Sequence, residues 1–162
     1  MSLHLRNATV DDVPLILAFV RELAAYEKLE DEVTATEDDL RRSLFGTPRE
    51  AEVRIAEWDG APAGFVLFFH NFSTFLGRPG LYLEDLFVRE AFRGRGIGRS
   101  LLADLARLAR RRGCGRLEWW VLDWNESAIG FYEKLGAESM REWVTFRLTG
   151  DHLKRLADSA DP

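Results

Sequence analysis

Apolar positions along this chain change period several times, and each change marks an element. Leu3 and Leu5 alternate with His4 and Arg6, which predicts a short N-terminal strand. Val13, Ile16, Phe19, Val20, Leu23 and Ala24 then recur at spacings of three and four, one apolar face of a helix. Thr9-x-x-Asp12 stands before it as a capping box, and Pro14 falls in its first turn. A second box, Thr36-x-x-Asp39, opens a shorter helix that ends near Phe45-Gly46. Residues 52–58 and 61–72 read as strands joined at Asp59-Gly60, a strong hairpin signal. A loop over 73–80 leads to an apolar, β-prone run at 81–88, and a helical stripe follows from Leu101 to Ala109. Beyond it the pattern predicts a strand over 116–122, a helix over 127–135 closed by Gly136, and a last strand over 142–148. A helix reaching Ala157 and a polar tail complete the chain. Strands and helices alternating in this way predict a single α/β domain around one mixed sheet.

The chemistry concentrates between the strand at 81–88 and the helix that begins near Leu101. The connection reads Arg93-Gly94-Arg95-Gly96-Ile97-Gly98-Arg99-Ser100. A strand that feeds a glycine-rich turn opening a helix presents backbone N–H groups at the positive end of the helix dipole, which suits a phosphate or pyrophosphate. The plain alternative is a tight turn whose glycines serve geometry alone. Two phosphate loops are excluded. Gly98 is followed by Arg99-Ser100 rather than Lys-Ser or Lys-Thr, so this is no P-loop. The glycines at 94, 96 and 98 are one residue short of G-x-G-x-x-G, and the polar residues 89–93 separate them from the strand, so a dinucleotide fingerprint fails too.

The pattern R-x-x-G-x-G, carried by Arg93, Gly96 and Gly98, resembles the acetyl-CoA pyrophosphate loop of the GNAT superfamily of N-acetyltransferases. The resemblance extends through Tyr82-Leu83-Glu84-Asp85-Leu86-Phe87-Val88, Val121-Leu122-Asp123-Trp124-Asn125-Glu126 and Gly130-Phe131-Tyr132-Glu133-Lys134-Leu135-Gly136-Ala137. Near the N-terminus, Arg6-Asn7-Ala8-Thr9 and 21–29 match the same diamine (spermidine/spermine) acetyltransferase branch. It covers roughly residues 3–150. It implies the GNAT fold, with a mostly antiparallel central sheet flanked by helices, and acetyl-CoA as co-substrate without a metal.

The resemblance also assigns roles. Residues 93–100 and the backbone of Leu86, Phe87 and Val88 would hold acetyl-CoA, the latter by pairing with it like an added strand. Asn125, Glu126, Ser127 and Ala128 fall at cofactor-contacting positions, and Asn125 also suits a helix N-cap. Glu84 would take the proton from the acceptor ammonium through water. Tyr132 would protonate the leaving thiolate, a phenol of pKa about 10 matched to a thiol near 8.5. Tyr26, Glu27, Glu84, Glu118, Trp119 and Trp120 would line the acceptor site. On residue chemistry alone, Glu84 also reads as a structural carboxylate and Tyr132 as a core aromatic. Adjacent strand residues project to opposite faces, which sets Glu84 with Tyr82, Leu86 and Val88 and separates it from Asp85; likewise only one of Trp119 and Trp120 can meet a substrate.

The acceptor is less sharply written. Glu27, Glu30, Asp31, Glu32, Glu37, Asp38 and Asp39 form an acidic segment that either attracts a polycation or is a solvated face. The segment 71–79 carries no acid, where polyamine enzymes of the branch tend to place one. Together with Tyr26-Glu27-Lys28-Leu29, this brings the chain closer to the enzymes that acetylate thialysine, and favours a short amine or a lysine-like amino acid.

Composition narrows the rest. The 162 residues are one domain's worth, and a net charge of −5 argues against a general nucleic-acid binder. Arg107, Arg110, Arg111 and Arg112 read as the C-terminal charge of one helix, with a lesser role open to them on the 3′-phosphate of CoA. Cys114 stands alone, which excludes an internal disulfide and favours a small packed thiol. No membrane span or signal core is evident, so a cytoplasmic protein is expected. A homodimer is implied by resemblance only. Transfer to a protein amine, or a non-catalytic acyl-CoA-binding module on the same fold, remain the alternatives.

Overall fold

A computed structural model describes residues 1–159; of the polar tail expected after Ala157, residues 160–162 lie outside the described residues. The chain divides into two compact units, one running through Leu122 and the other beginning at Asp123. The first holds five strands in the order β1-β2-β3-β4-β5: Leu3–Asn7, Glu52–Trp58, Ala61–Ser73, Arg78–Val88 and Leu117–Trp119. The first three pairings are antiparallel, and β4 pairs with β5 in parallel. The expected mixed, mostly antiparallel α/β architecture is thus present.

Strand periodicity gives the sheet two apolar faces, each covered by helix. Val53, Ile55, Phe65 and Phe87 share one face and form a cluster with Ile16 and Phe19 of α1 (Val13–Tyr26) and Leu44 of α2 (Glu37–Phe45). Phe19 and Phe65 stack with their centroids 5.1 Å apart and their planes 3° from parallel. Val66, Phe68, Leu81 and Leu83 are buried on the other face, where α3 (Ile97–Arg111) lies with Ile97, Leu101 and Leu105. Burying one such side chain stabilises by about 1.5–3 kcal/mol.

Polar groups fix the ends. Thr36 and Asp39 form the expected reciprocal cap of α2, with Asp39 N–H donating to Thr36 Oγ1 at 3.2 Å. The Thr9–Asp12 box opens a single 3-10 turn, Val10–Asp12, and α1 begins after it with Pro14 in its first turn. Arg6 joins β1 to both neighbours, donating to Glu57 at 2.7 Å and to both Asp12 oxygens at 2.8 and 2.9 Å.

Three expectations need correction. The loop expected over 73–80 is shorter, because β3 and β4 remain paired as far as Ser73 and Arg78. Ser73 closes that turn, accepting from Leu76 N–H at its Oγ and from Gly77 N–H at its carbonyl. The strand expected over 116–122 covers only Leu117–Trp119, since its partner β4 leaves it after Leu83. The last strand, expected over 142–148, does not form among the described residues. Val144, Phe146 and Leu148 do alternate, but period two expresses only a capacity to pair; a strand exists where a second backbone accepts its hydrogen bonds. Here Trp143, Val144 and Phe146 are exposed.

The second unit is built on α4 (Glu126–Lys134) and α5 (Gly150–Ala157). Asn125 is the N-cap foreseen, its side-chain oxygen accepting from Ala128 N–H at 3.3 Å. Gly136 follows α4 with φ +91°, a left-handed residue past a helix end.

Candidate active site

One extra residue in β4 organises the site. Tyr82 pairs with Phe69 and Leu83 with Phe68, but Asp85, not Glu84, pairs with Leu67. Glu84 is therefore the inserted residue of a β-bulge, which breaks the two-residue alternation and bends the strand. This corrects the face assignment made from simple alternation. Tyr82 and Asp85 oppose Phe69 and Leu67 and so share the α1 face, whereas Leu86 and Val88 oppose Val66 and Gly64 on the α3 face. Glu84 itself is exposed at the bulge.

The bend has a second effect. Parallel pairing with β5 stops at Leu83, so from Glu84 to Val88 the β4 edge away from β3 has no strand beside it among the described residues. The backbone of Leu86, Phe87 and Val88 lies along this opening, as strand-like capture of a ligand's amides requires.

Beyond β4, a 3-10 turn (Glu90–Phe92) leads into the glycine loop. Gly94 and Gly96 have φ of +76° and +77°, values open to glycine at little cost, and Gly96 is the N-cap of α3. Ser100 N–H returns to Gly96 O at 3.0 Å, so the amides of Ile97, Gly98 and Arg99 occupy the first turn, where the helix supplies no acceptor. A side-chain carbon built at Gly98 would meet only Val88 Cγ2, at 3.9 Å. The loop is thus an open cradle at a positive helix end, and its residues fit a pyrophosphate.

Two arginines brace it. Arg93 Nε donates to Val88 O at 2.9 Å, and its guanidinium lies 4.9 Å from the Tyr26 ring centroid and 5.7 Å from that of Phe87. Arg95 lies over Trp58 at 5.2 Å and Phe92 at 5.6 Å. Arg107 and Arg112, near the far end of α3, are engaged by Asp104 at 3.7 Å and Glu52 at 2.6 Å.

The α1 side of the bulge gathers carboxylates and aromatic rings. Burial pushes the Asp85 carboxyl up to about 7, with Glu84 and then Glu27 adding to the effect. Burial also raises Glu27. The Tyr82 phenol is pushed up to about 12 by burial, then by Glu84 and Glu118. Four carboxylates therefore share one electrostatic neighbourhood, which favours a bound cation. Glu118 pairs in register with Tyr82, accepts from Asn71 Nδ2 at 3.2 Å and is met by Arg116 at 3.2 Å. Trp120 stands edge-on to Tyr82 with centroids 6.0 Å apart, whereas Trp119 is in register with Leu83 on the opposite face. Of the two indoles, Trp120 is the one on the acidic side.

The first unit thus brings together Tyr26, Glu27, Glu84, Glu118 and Trp120 beside the backbone of 86–88 and the loop 93–100. Asp85 and Tyr82 join them. Simple alternation excluded the former as a partner of Glu84; the bulge that reverses this leaves no sequence signal, since Leu83-Glu84-Asp85-Leu86 reads as an ordinary strand. Asn125, Glu126, Ser127, Ala128 and Tyr132 lie in the second unit. There Tyr132 sits on α4 beside Phe131, ring centroids 5.5 Å apart, and its carbonyl accepts from Leu135 and Ala137 N–H.

Comparison with known proteins agrees with this geometry. The model of the acetyltransferase (GNAT) family matches residues 17–137. A thialysine N-epsilon-acetyltransferase of Bos taurus is 38% identical over 94% of this chain and 96% of its own length. An L-ornithine N5-acetyltransferase of Arabidopsis thaliana is 35% identical over 94% of this chain and 87% of its own. Among solved structures, an integron cassette protein of V. cholerae superposes with a TM-score of 0.82 at 30% identity, over 98% of this chain and 99% of that one.

Proposed function

Because this chain belongs to the GNAT acetyltransferase family and is thereby an acetyl-CoA-dependent acyltransferase, we propose that it acetylates a primary amine of a small cationic acceptor, a short diamine or a lysine- or ornithine-like amino acid, as one GNAT domain acting in a homodimer. The observation that carries the acceptor class is the set of four carboxylates, Glu27, Glu84, Asp85 and Glu118, gathered with Tyr26, Tyr82 and Trp120 around the bulge. Such a field draws in an ammonium, and an indole face offers it a cation–π contact. The named activities of the thialysine and ornithine relatives support the same class.

In this reading residues 93–100 hold the pyrophosphate and the backbone of 86–88 orients the pantetheine arm. Glu84, exposed at the bulge, removes a proton from the acceptor ammonium through water. The freed amine nitrogen attacks the thioester carbonyl carbon, the C–N bond forms, and the C–S bond breaks. The departing sulfur takes its proton from the Tyr132 phenol, a role that rests on the family resemblance, and the proton shed by the acylated nitrogen restores that phenol through water. Asp85 is a second candidate for the base, favoured by a carboxyl poised near 7, where a base is most effective at neutral pH.

The test is CoA release from acetyl-CoA with spermidine, a short diamine, thialysine, ornithine, lysine and a lysine-bearing peptide. Wild type is compared with Tyr132→Phe, Glu84→Gln and Asp85→Asn. Turnover on a small amine, with kcat lowered at least tenfold in Tyr132→Phe, is expected. Turnover on the peptide alone would replace the small-amine reading with a protein acceptor.

A further inference from the structure

The far end of α3 carries a second polar site that acetyl transfer does not use. At Asn7 the first strand pairs with Arg54, and at Ala8 its last amide reaches Val53 O at 2.9 Å before the chain turns into the Thr9–Asp12 box. The second strand extends beyond that point, to Glu52, and the connection from α2 passes alongside. The gap where β1 peels away is a cavity of about 130 Å³. At a share of about 30 Å³ per water, that is room for roughly four waters, or an oxyanion with a water or two.

Its walls are unusual for so acidic a chain. Phe45 and Val53 supply apolar surface, while Arg49, Arg54 and Arg112 line the same space with Glu52 as the lining carboxylate. Arg112 grips both Glu52 oxygens, at 2.6 and 2.9 Å. Arg54 reaches Asp104 Oδ2, outside the lining, at 3.4 Å. Arg49 lies over the Phe45 ring at 5.3 Å from its centroid. Glu52 offsets Arg112 and Asp104 offsets Arg54, so three guanidinium groups against two carboxylates leave one positive charge in surplus, that of Arg49. Convergence of like charge costs free energy unless an anion offsets it, and guanidinium is the group that best matches the geometry of carboxylates and phosphates.

We propose that this cavity binds a small oxyanion, of the carboxylate or phosphate class, between Arg49, Arg54 and Arg112, with Glu52 competing for Arg112. None of its lining belongs to the glycine loop. The two lie at opposite ends of α3, whose 15 residues span about 22 Å, so an anion at one can be distinguished from an anion at the other.

The experiment uses the full chain, ¹⁵N-labelled, titrated with inorganic phosphate and separately with acetate. Sodium chloride holds the ionic strength constant. Backbone and arginine Nε–H signals of residues 49–54 and 112 are followed against the amides of 94–100. A saturable shift of the first set is expected with at least one oxyanion, and the arm that produces it identifies the class. Arg49→Gln, in an exposed connection, should weaken it at least fivefold. Glu52→Gln should tighten it several-fold by releasing Arg112. General salt effects would move both variants alike. Shifts confined to 94–100, a linear drift matched by chloride, or a Glu52→Gln variant that stays folded and binds more weakly would each overturn the assignment.

Discussion

Gly98→Ala separates a glycine kept for geometry from a glycine kept for a ligand. Gly98 is the second residue of α3, its φ lies outside the left-handed region, and a β-carbon there meets only Val88 Cγ2 at 3.9 Å, an ordinary contact. The fold therefore has no objection to alanine. It gains from it, by about 0.4–1 kcal/mol, because the unfolded chain loses more freedom with glycine than with alanine. For a chain of 162 residues this corresponds to a rise in Tm of roughly 1–4 °C. A pyrophosphate seated on the first-turn amides approaches the same open space, and the methyl group would hold it away. Losing one hydrogen bond to a charged group costs about 1.5–3 kcal/mol, roughly ten- to hundredfold in Kd. The assay pairs calorimetric titration of CoA with a thermal melt. A higher Tm with weaker binding is expected. Gly96→Ala is the contrasting control: at φ +77° the alanine is strained by about 1–2 kcal/mol, so stability and binding fall together. Unchanged CoA affinity in a stabilised Gly98→Ala variant would refute the cradle and leave the glycines as turn formers.

Two further outcomes follow from the core and the bulge. The Asp85 carboxyl titrates near 3.8 when unfolded and about 7 when folded, so the native state holds the extra proton between those values. Stability must then fall as pH rises from about 4 to 7, by on the order of 4 kcal/mol in total, and Asp85→Asn should abolish that decline. Urea unfolding at pH 5 and pH 8 checks it, and a variant whose advantage over wild type is the same at both would contradict the burial of this carboxylate. Phe19 is fully buried, stacked on Phe65 and covered by the Arg89 guanidinium at 4.7 Å. Phe19→Ala should cost about 3–5 kcal/mol in urea unfolding, and a loss below 1 kcal/mol would mean that the site collapses around the gap.

How far the sequence could be read depended on whether a signal was local. The capping boxes at Thr9 and Thr36, the Asp59-Gly60 turn and the helical stripe of 101–109 are contacts between near neighbours in the chain, and all but the first formed where they were expected. The Thr9 box was offset by one turn, since Pro14 starts α1 late. The geometry of the glycine loop was legible for the same reason: left-handed glycines and a helix N-terminus are properties of eight consecutive residues. What failed was pairing. Residues 142–148 alternate as well as β2 does, but β2 has β1 and β3 to accept its hydrogen bonds. Strand β5 is short because β4 bends away, and β4 bends at a residue whose only distinction is that its neighbour, Asp85, faces Leu67. The kinship of Asp85 with Glu84, Glu27 and Tyr82 is likewise a fact of register and burial, and neither is written in the local order of letters.

The bulge at Glu84 makes the groove along the open edge of β4 a matter of counting. Were the chain between Leu83 and Asp85 one residue shorter, β4 could run straight alongside β5, the two edges would satisfy each other, and the open edge from Glu84 to Val88 would close into plain sheet. No substitution at 84 does this, because any amino acid there still occupies a place. The opening in this chain is thus more vulnerable to a single-codon deletion than to most replacements at the same spot. A redesign that treats length as fixed and letters as free would keep the groove without ever knowing what had opened it.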